Sequence, residues 1–109
     1  MSTERKVEVT SVIEDELERS AVKLAAVGLT ARFRGMVERP MTDGGSSSTV
    51  EAEIGIYESG DRLFDMLEFF VEKDGKPTAS VAEIREWLQQ EIEQMVEDYP
   101  LRKGWEELP

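Results

Sequence analysis

Two segments of the chain place apolar residues at helical spacing. Each segment opens with Ser-x-x-Glu, at Ser11 and at Ser80, and this pattern is typical of a capping box at a helix start. Apolar steps of three or four residues then put one stripe on one helix face. We predict a first helix that begins near Ser11 and ends near Gly28, and a second that begins near Ser80 and ends before Pro100. The stripes consist of Ile13, Leu17, Ala21, Leu24 and Ala25 in the first helix, and Val81, Ile84, Leu88, Ile92, Met95 and Tyr99 in the second.

Between these segments the apolar period changes to two, which is typical of strands. The alternation predicts strands over residues 29–38, 50–57 and 62–72, with Gly35 as a bulge in the first. Ser59-Gly60-Asp61 is typical of a tight turn between the second and third strands, and Asp74-Gly75 ends the third. Residues 40–48, rich in Gly and Ser, are expected to form a mobile loop.

The order helix, three strands, helix predicts an α+β two-layer sandwich, in which both helices pack on one face of a three-stranded antiparallel sheet. A chain of 109 residues is expected to form one domain. Residues 1–9 and 100–109 are expected to be loosely ordered tails.

This order of elements is similar to that of double-stranded-RNA-binding domains. Such domains grip phosphate with lysines at the start of their second helix, whereas the corresponding segment here reads Ser80-Val81-Ala82-Glu83-Ile84-Arg85-Glu86. Because cations are replaced by carboxylates there, RNA binding is not predicted.

The charge of the chain is uneven. The formal net charge is -11, and residues 40–109 carry all of the excess, with six Lys and Arg against seventeen Asp and Glu. Nucleic acids and anionic membranes would be repelled by this field. A basic protein is the partner that it would attract, although an acidic surface also serves solubility.

Histidine and cysteine are absent from the sequence. Their absence removes the side chain that titrates near neutral pH, the thiolate nucleophile and most transition-metal ligand sets. We therefore expect no enzyme activity, no cofactor and no metal. The polar amino terminus has no apolar stretch typical of a signal peptide, so a cytoplasmic location is expected.

The third predicted strand is apolar on both of its faces, although a two-layer sandwich covers only one face of its sheet. Strict alternation puts Phe64, Met66 and Phe70 on the uncovered face. Either the C-terminal tail folds back over them with Tyr99, Leu101 and Trp105, or a second copy of the chain covers them. We favour a homodimer, with an interface formed by Phe64, Met66, Phe70, Tyr57 and Trp105.

Several charged residues are candidates for function. Asp65 falls on the core side of the strict alternation, where a buried carboxylate could act as an acid or base; a bulge or a place at the sheet margin would instead expose it. Glu86, Glu93 and Glu97 of the second helix are a candidate acidic docking face or a plain solvated face. Three arginines on or just after the first strand, Arg32, Arg34 and Arg39, could bind an anionic ligand such as a carboxylate or phosphate. Ion pairs between these arginines and Glu51 and Glu53 of the neighbouring strand are the simpler expectation.

These observations favour a noncatalytic acidic interaction protein, a homodimer that binds a basic protein partner in the manner of an immunity protein, an effector chaperone or an adaptor. The alternative is a small-molecule-binding domain with a cleft lined by Phe64, Met66, Phe70, Tyr57 and Trp105. An enzyme that uses carboxylates is the third class, and it would need a strongly shifted pKa.

Overall fold

The structure is a computed structural model that describes residues 1–40 and 48–106. Two helices and four strands follow one another as α1 (Thr3–Ala26), β1 (Thr30–Pro40), β2 (Ser48–Glu58), β3 (Arg62–Lys73), β4 (Lys76–Pro77) and α2 (Val81–Glu106). The strands form one antiparallel sheet in the order β1-β2-β3-β4. The predicted α+β architecture is therefore confirmed, with the two-residue β4 added to the three predicted strands. Most of the predicted 40–48 loop and residues 107–109 lie outside the described residues.

Helix α1 begins nine residues earlier than its capping box predicts, so the expectation of a loose tail over residues 1–9 is wrong. Ser2 is the N-cap, and its Oγ accepts a hydrogen bond from the Arg5 amide at 3.2 Å. Ser11 lies in the middle of the helix, where it is exposed. A cap contributes about 1 kcal/mol. Extending the helix buries Val9 completely, and burying a valine contributes about 1.5–3 kcal/mol, so the longer helix is favoured.

Helix α2 begins as predicted. The Glu83 amide donates to Ser80 Oγ and the Ser80 amide donates to Glu83 Oε1, both at 3.1 Å, which completes the capping box. The prediction that this helix ends before Pro100 is wrong, since Pro100 lies inside α2 and residues 100–106 are helical. Tyr99 and Lys103 both bind Glu58 of β2, at 2.8 and 3.3 Å, and these contacts hold the helix to the sheet on either side of the proline.

The strands carry bulges that change which side chains share a face. Gly35 adopts a φ of 119° at the shift in register between β1 and β2, as predicted. Two shifts lie between β2 and β3. Val71 is the extra residue of one, and Phe64 is the extra residue of the other, where Ile56 is opposite Asp65 but Tyr57 is opposite Leu63. The bulge at Phe64 puts Leu63 and Phe64 on the opposite sides of the sheet from those that strict alternation predicts, whereas residues 65–70 keep their predicted sides.

The core lies between the helices and one face of the sheet. Alternate residues of β2 (Val50, Ala52, Ile54 and Ile56) are buried against the stripes of both helices, which include Ile13, Leu17, Leu24, Ile84, Leu88 and Ile92. Trp87 packs against Phe69 with ring centroids 4.6 Å apart, and both rings contact the core. No helix in the described ranges is long and apolar enough to cross a bilayer.

Candidate functional site

The face of the sheet that points away from the helices carries a set of apolar side chains. We call it the open sheet face, and its apolar residues are Val37, Tyr57, Leu63, Met66 and Phe70. Phe70 is 53% exposed and Leu63 is 47% exposed, whereas Tyr57 and Met66 are half-buried. Three of the residues predicted for an interface, Tyr57, Met66 and Phe70, therefore share one surface.

The other two predicted interface residues do not join them. The bulge in β3 turns Phe64 toward the helices, where its ring meets Tyr99 edge-on at 4.8 Å. Its predicted place beside Met66 and Phe70 is therefore wrong. The side chain of Trp105 lies outside the described residues. Leu101, which was expected to help a folded-back tail cover the sheet, is 64% exposed on α2.

The ring of Tyr57 lies across the backbone of Gly55, two residues earlier on the same face. A Cβ at position 55 would come within 2.5 Å of the tyrosine hydroxyl oxygen, so glycine leaves the space that the ring occupies. The Arg32 guanidinium sits over this ring at 4.9 Å from its centroid and pairs with Asp61. This cation–π contact links the first half of β1 to the ring of Tyr57 on β2.

Ion pairs cross from β1 to β2 at the other end of the open sheet face. Arg39 pairs with Glu51 at 3.1 Å and with Glu53 at 3.4 Å, which confirms the expected cross-strand pairing for this arginine. Although neither of the described helices covers this face, the side chains of Glu51 and Glu53 are only 16% and 19% exposed. On β3, Glu68 stands opposite Glu53 and is exposed. The open sheet face thus carries arginines on β1, carboxylates on β2, and both Glu68 and Lys73 on β3.

Asp65 is exposed, so the suggestion of a buried carboxylate at this position is wrong. It lies on the free margin of the sheet beside the bulge, and its Oδ1 accepts a hydrogen bond from the Met66 amide at 2.8 Å. The alternation correctly predicted that Asp65 lies on the helix side of the sheet. It could not show that the helix side is open to solvent at this margin.

A groove runs between this margin of β3 and helix α2. Its volume is about 140 Å³, and carboxylates of Asp65, Glu91 and Asp98 line it. The Arg102 guanidinium lies at one end, 5.6 Å above the ring of Phe64. Apolar residues of both elements complete the lining: Phe64, Leu67, Met95 and Tyr99. Sequence reasoning missed this site, although Glu91 and Asp98 are seven residues apart and so share one side of α2.

The predicted acidic docking face lies on the solvent side of α2. Glu86, Glu93 and Glu97 are all exposed, and Lys23 of α1 approaches Glu93 at 3.9 Å. The structure therefore brings these three residues together on one surface, separate from the groove.

Three further carboxylates, those of Asp15, Glu16 and Glu58, join elements of the fold. Arg85 of α2 donates to Asp15 at 2.8 Å and to the buried Glu16 at 2.9 Å on α1. This hydrogen bond from Arg85 holds the pKa of Asp15 below its usual value. The hydrogen bond from Tyr99 likewise lowers the pKa of Glu58. Both groups are ionised at neutral pH and act as structural links. Within the described ranges, no group of three or more carboxylates is arranged to hold a metal ion.

No protein-family model matches the chain, and no curated sequence or solved structure is significantly similar to it.

Proposed function

We propose that this protein is a noncatalytic interaction module that forms a homodimer through its open sheet face and binds a basic protein through the carboxylates of α2. The observation that carries the proposal is the exposure of Phe70, at 53%, beside Tyr57 and Met66 on a sheet face that no described helix covers. A contiguous apolar surface of this kind usually marks an interface.

The positions of the apolar residues on the open sheet face support a second copy as its occupant. Val37 of β1 and Phe70 of β3 are both level with Glu51 of β2. A twofold axis along β2 would therefore bring Phe70 of one copy over Val37 of the other. Two sheets packed face to face in this way would also bury Phe70 and Met66 of both copies.

The charge of α2 supports a basic partner. From Glu86 to Asp98 the helix contains five carboxylates and no Lys or Arg. Such a surface attracts a positively charged protein and speeds its association. A cytoplasmic location is part of the proposal, and the absence of cysteine from the sequence supports it.

Sedimentation velocity tests the homodimer. At tens of micromolar we expect the native protein to sediment as a dimer, and Phe70→Glu to sediment as a monomer because it places a charge in the apolar interface. Val22→Glu is the matched control. It adds the same charge at a valine that is 81% exposed on α1, away from the open sheet face, and we expect it to remain dimeric. A native protein that sediments as a monomer at this concentration contradicts the homodimer.

A further inference from the structure

Strand β3 has a free edge along most of its length. The short β4 pairs only with Glu72 and Lys73, and no other described strand lies on that side of β3. Two contacts indicate which backbone groups of β3 point to this edge. The Met66 amide donates to the Asp65 side chain, and the Phe70 carbonyl accepts from Thr78 Oγ1 at 2.6 Å. Since backbone groups alternate along a strand, the amide and carbonyl of Glu68 point the same way. An unpaired edge of this kind is a template for another strand.

The groove described above lies beside this edge on its helix side. An extended chain that paired with β3 would alternate its side chains between two environments. One set would lie over the groove, facing the carboxylates of Asp65, Glu91 and Asp98, and the other set would extend the open sheet face beside Met66 and Phe70. Three carboxylates against the single guanidinium of Arg102 leave the groove negatively charged.

We propose that the free edge of β3 and this groove together bind an extended segment of the partner protein, as an added strand whose groove-facing side chains are Lys or Arg and whose alternate side chains are apolar. Backbone hydrogen bonds to β3 supply the general affinity, and the carboxylates of the groove select the cation. The inference rests on the basic partner of the proposed function and names the place and the conformation in which that partner binds.

A second copy of this chain is a poor occupant of the same edge. Antiparallel pairing of β3 with its own copy about Glu68, whose backbone groups face this edge, would place Glu68 of each chain directly opposite Glu68 of the other. Like charges directly opposite each other destabilise a strand pair. The open sheet face and the β3 edge therefore suit different partners.

The test is an isothermal calorimetric titration of the native protein with an eight-residue peptide in which lysine alternates with valine. Both ends of the peptide are blocked. Glu91→Gln/Asp98→Asn removes two carboxylates from the groove. Glu86→Gln/Glu97→Gln removes two from the solvent side of the same helix and changes the net charge equally. We expect the groove variant to bind the peptide at least about tenfold more weakly than the native protein does. We expect the affinity of the control variant to stay within about twofold of that of the native protein. Circular dichroism checks that both variants fold.

Two isomeric peptides test the strand geometry. One is N-methylated on its valine amides and the other on its lysine amides. Only one set of amides can face β3 in an added strand, so we expect one isomer to lose binding and the other to retain it. Equal binding of both isomers would overturn the inference, because attraction by charge alone does not depend on those amides.

The outcomes separate the inference from the proposed function. Equal weakening by the two double variants would overturn the groove as the binding site and leave a basic partner on α2 in place. Absence of any peptide binding to the native protein would overturn the inference, and the sedimentation test would still decide the homodimer by itself.

Discussion

The ring of Tyr57 can lie where it does on the open sheet face because Gly55 has no side chain. The tyrosine ring occupies the space where a side chain at position 55 would stand, and the Arg32 guanidinium lies on the ring. Glycine in a strand weakens it, and an aromatic ring that covers the glycine compensates for part of this loss. The pair therefore acts as one unit on the surface where we propose that a second copy binds.

Gly55→Ala tests this coupling. The new methyl group would displace the ring of Tyr57, so we expect the free energy of unfolding to fall by about 1 kcal/mol in the native background. In a Tyr57→Ala background the obstruction is gone, and the same substitution should be neutral or stabilising by up to about 1 kcal/mol. Urea denaturation of the four proteins at one protein concentration measures both values. The same change in both backgrounds would show that the ring and the glycine are independent.

At the scale of elements, α1 and α2 are joined by a charged bridge as well as by their apolar stripes. Arg85 reaches from α2 to Asp15 and Glu16 on α1, and Arg19 pairs with Asp15 at 3.0 Å. Glu16 is buried, so its carboxylate depends on Arg85 for compensation. The bridge therefore links the two helices in addition to their apolar contacts.

The lowered pKa of Asp15 predicts a dependence of stability on pH. Because the folded-state pKa lies below the ordinary value of 3.8, the bond to Arg85 stabilises the fold above that value and is lost as the pH falls through the folded-state pKa. We expect Asp15→Asn to be less stable than the native protein at neutral pH, and the difference to shrink below about pH 4. Thermal denaturation between neutral pH and about pH 3 measures this.

Arg85→Met should remove the same pH-dependent contribution, since it removes the donor that lowers the pKa of Asp15. A stability difference between native protein and Asp15→Asn that stays constant down to about pH 3 would contradict the assigned cause.

At the scale of the whole molecule, the net charge of -11 affects the two proposed interactions in opposite ways. Two identical acidic chains repel each other when they form a dimer, whereas the same charge attracts a basic partner. The α2 carboxylates and the apolar residues of the open sheet face lie on different sides of the molecule, so both interactions can occur on one chain.

Added salt should therefore affect the two proposed interactions in opposite directions. Raising the ionic strength from about 0.05 M to about 0.3 M screens both effects, so we expect the dimer to become tighter and the lysine-valine peptide to bind more weakly. Sedimentation equilibrium measures the first change and calorimetry the second. A dimer that dissociates on addition of salt would mean that ion pairs across its interface outweigh the repulsion between the subunits.

The elements were predictable where the local signal and the packing agree. The capping box at Ser80 starts α2, and Gly35 forms the bulge of β1, because each local preference coincides with the apolar pattern around it. At Ser11 and Pro100 the local signals predicted a boundary, but contacts distant in sequence favoured a continued helix. Val9 is buried in the core, and Tyr99 and Lys103 are held by Glu58 of β2.

The α+β order, the core-forming side of each helix and of β2, and the excess of carboxylates on α2 were predictable, because all of these follow from the periodicity and identity of nearby residues. The departure of Phe64 from the open sheet face and the meeting of Asp65, Glu91 and Asp98 in one groove were not predictable from the chain alone. The bulge at Phe64 exchanges the faces of Leu63 and Phe64, and its position depends on how β2 and β3 pair, which no local pattern in β3 records.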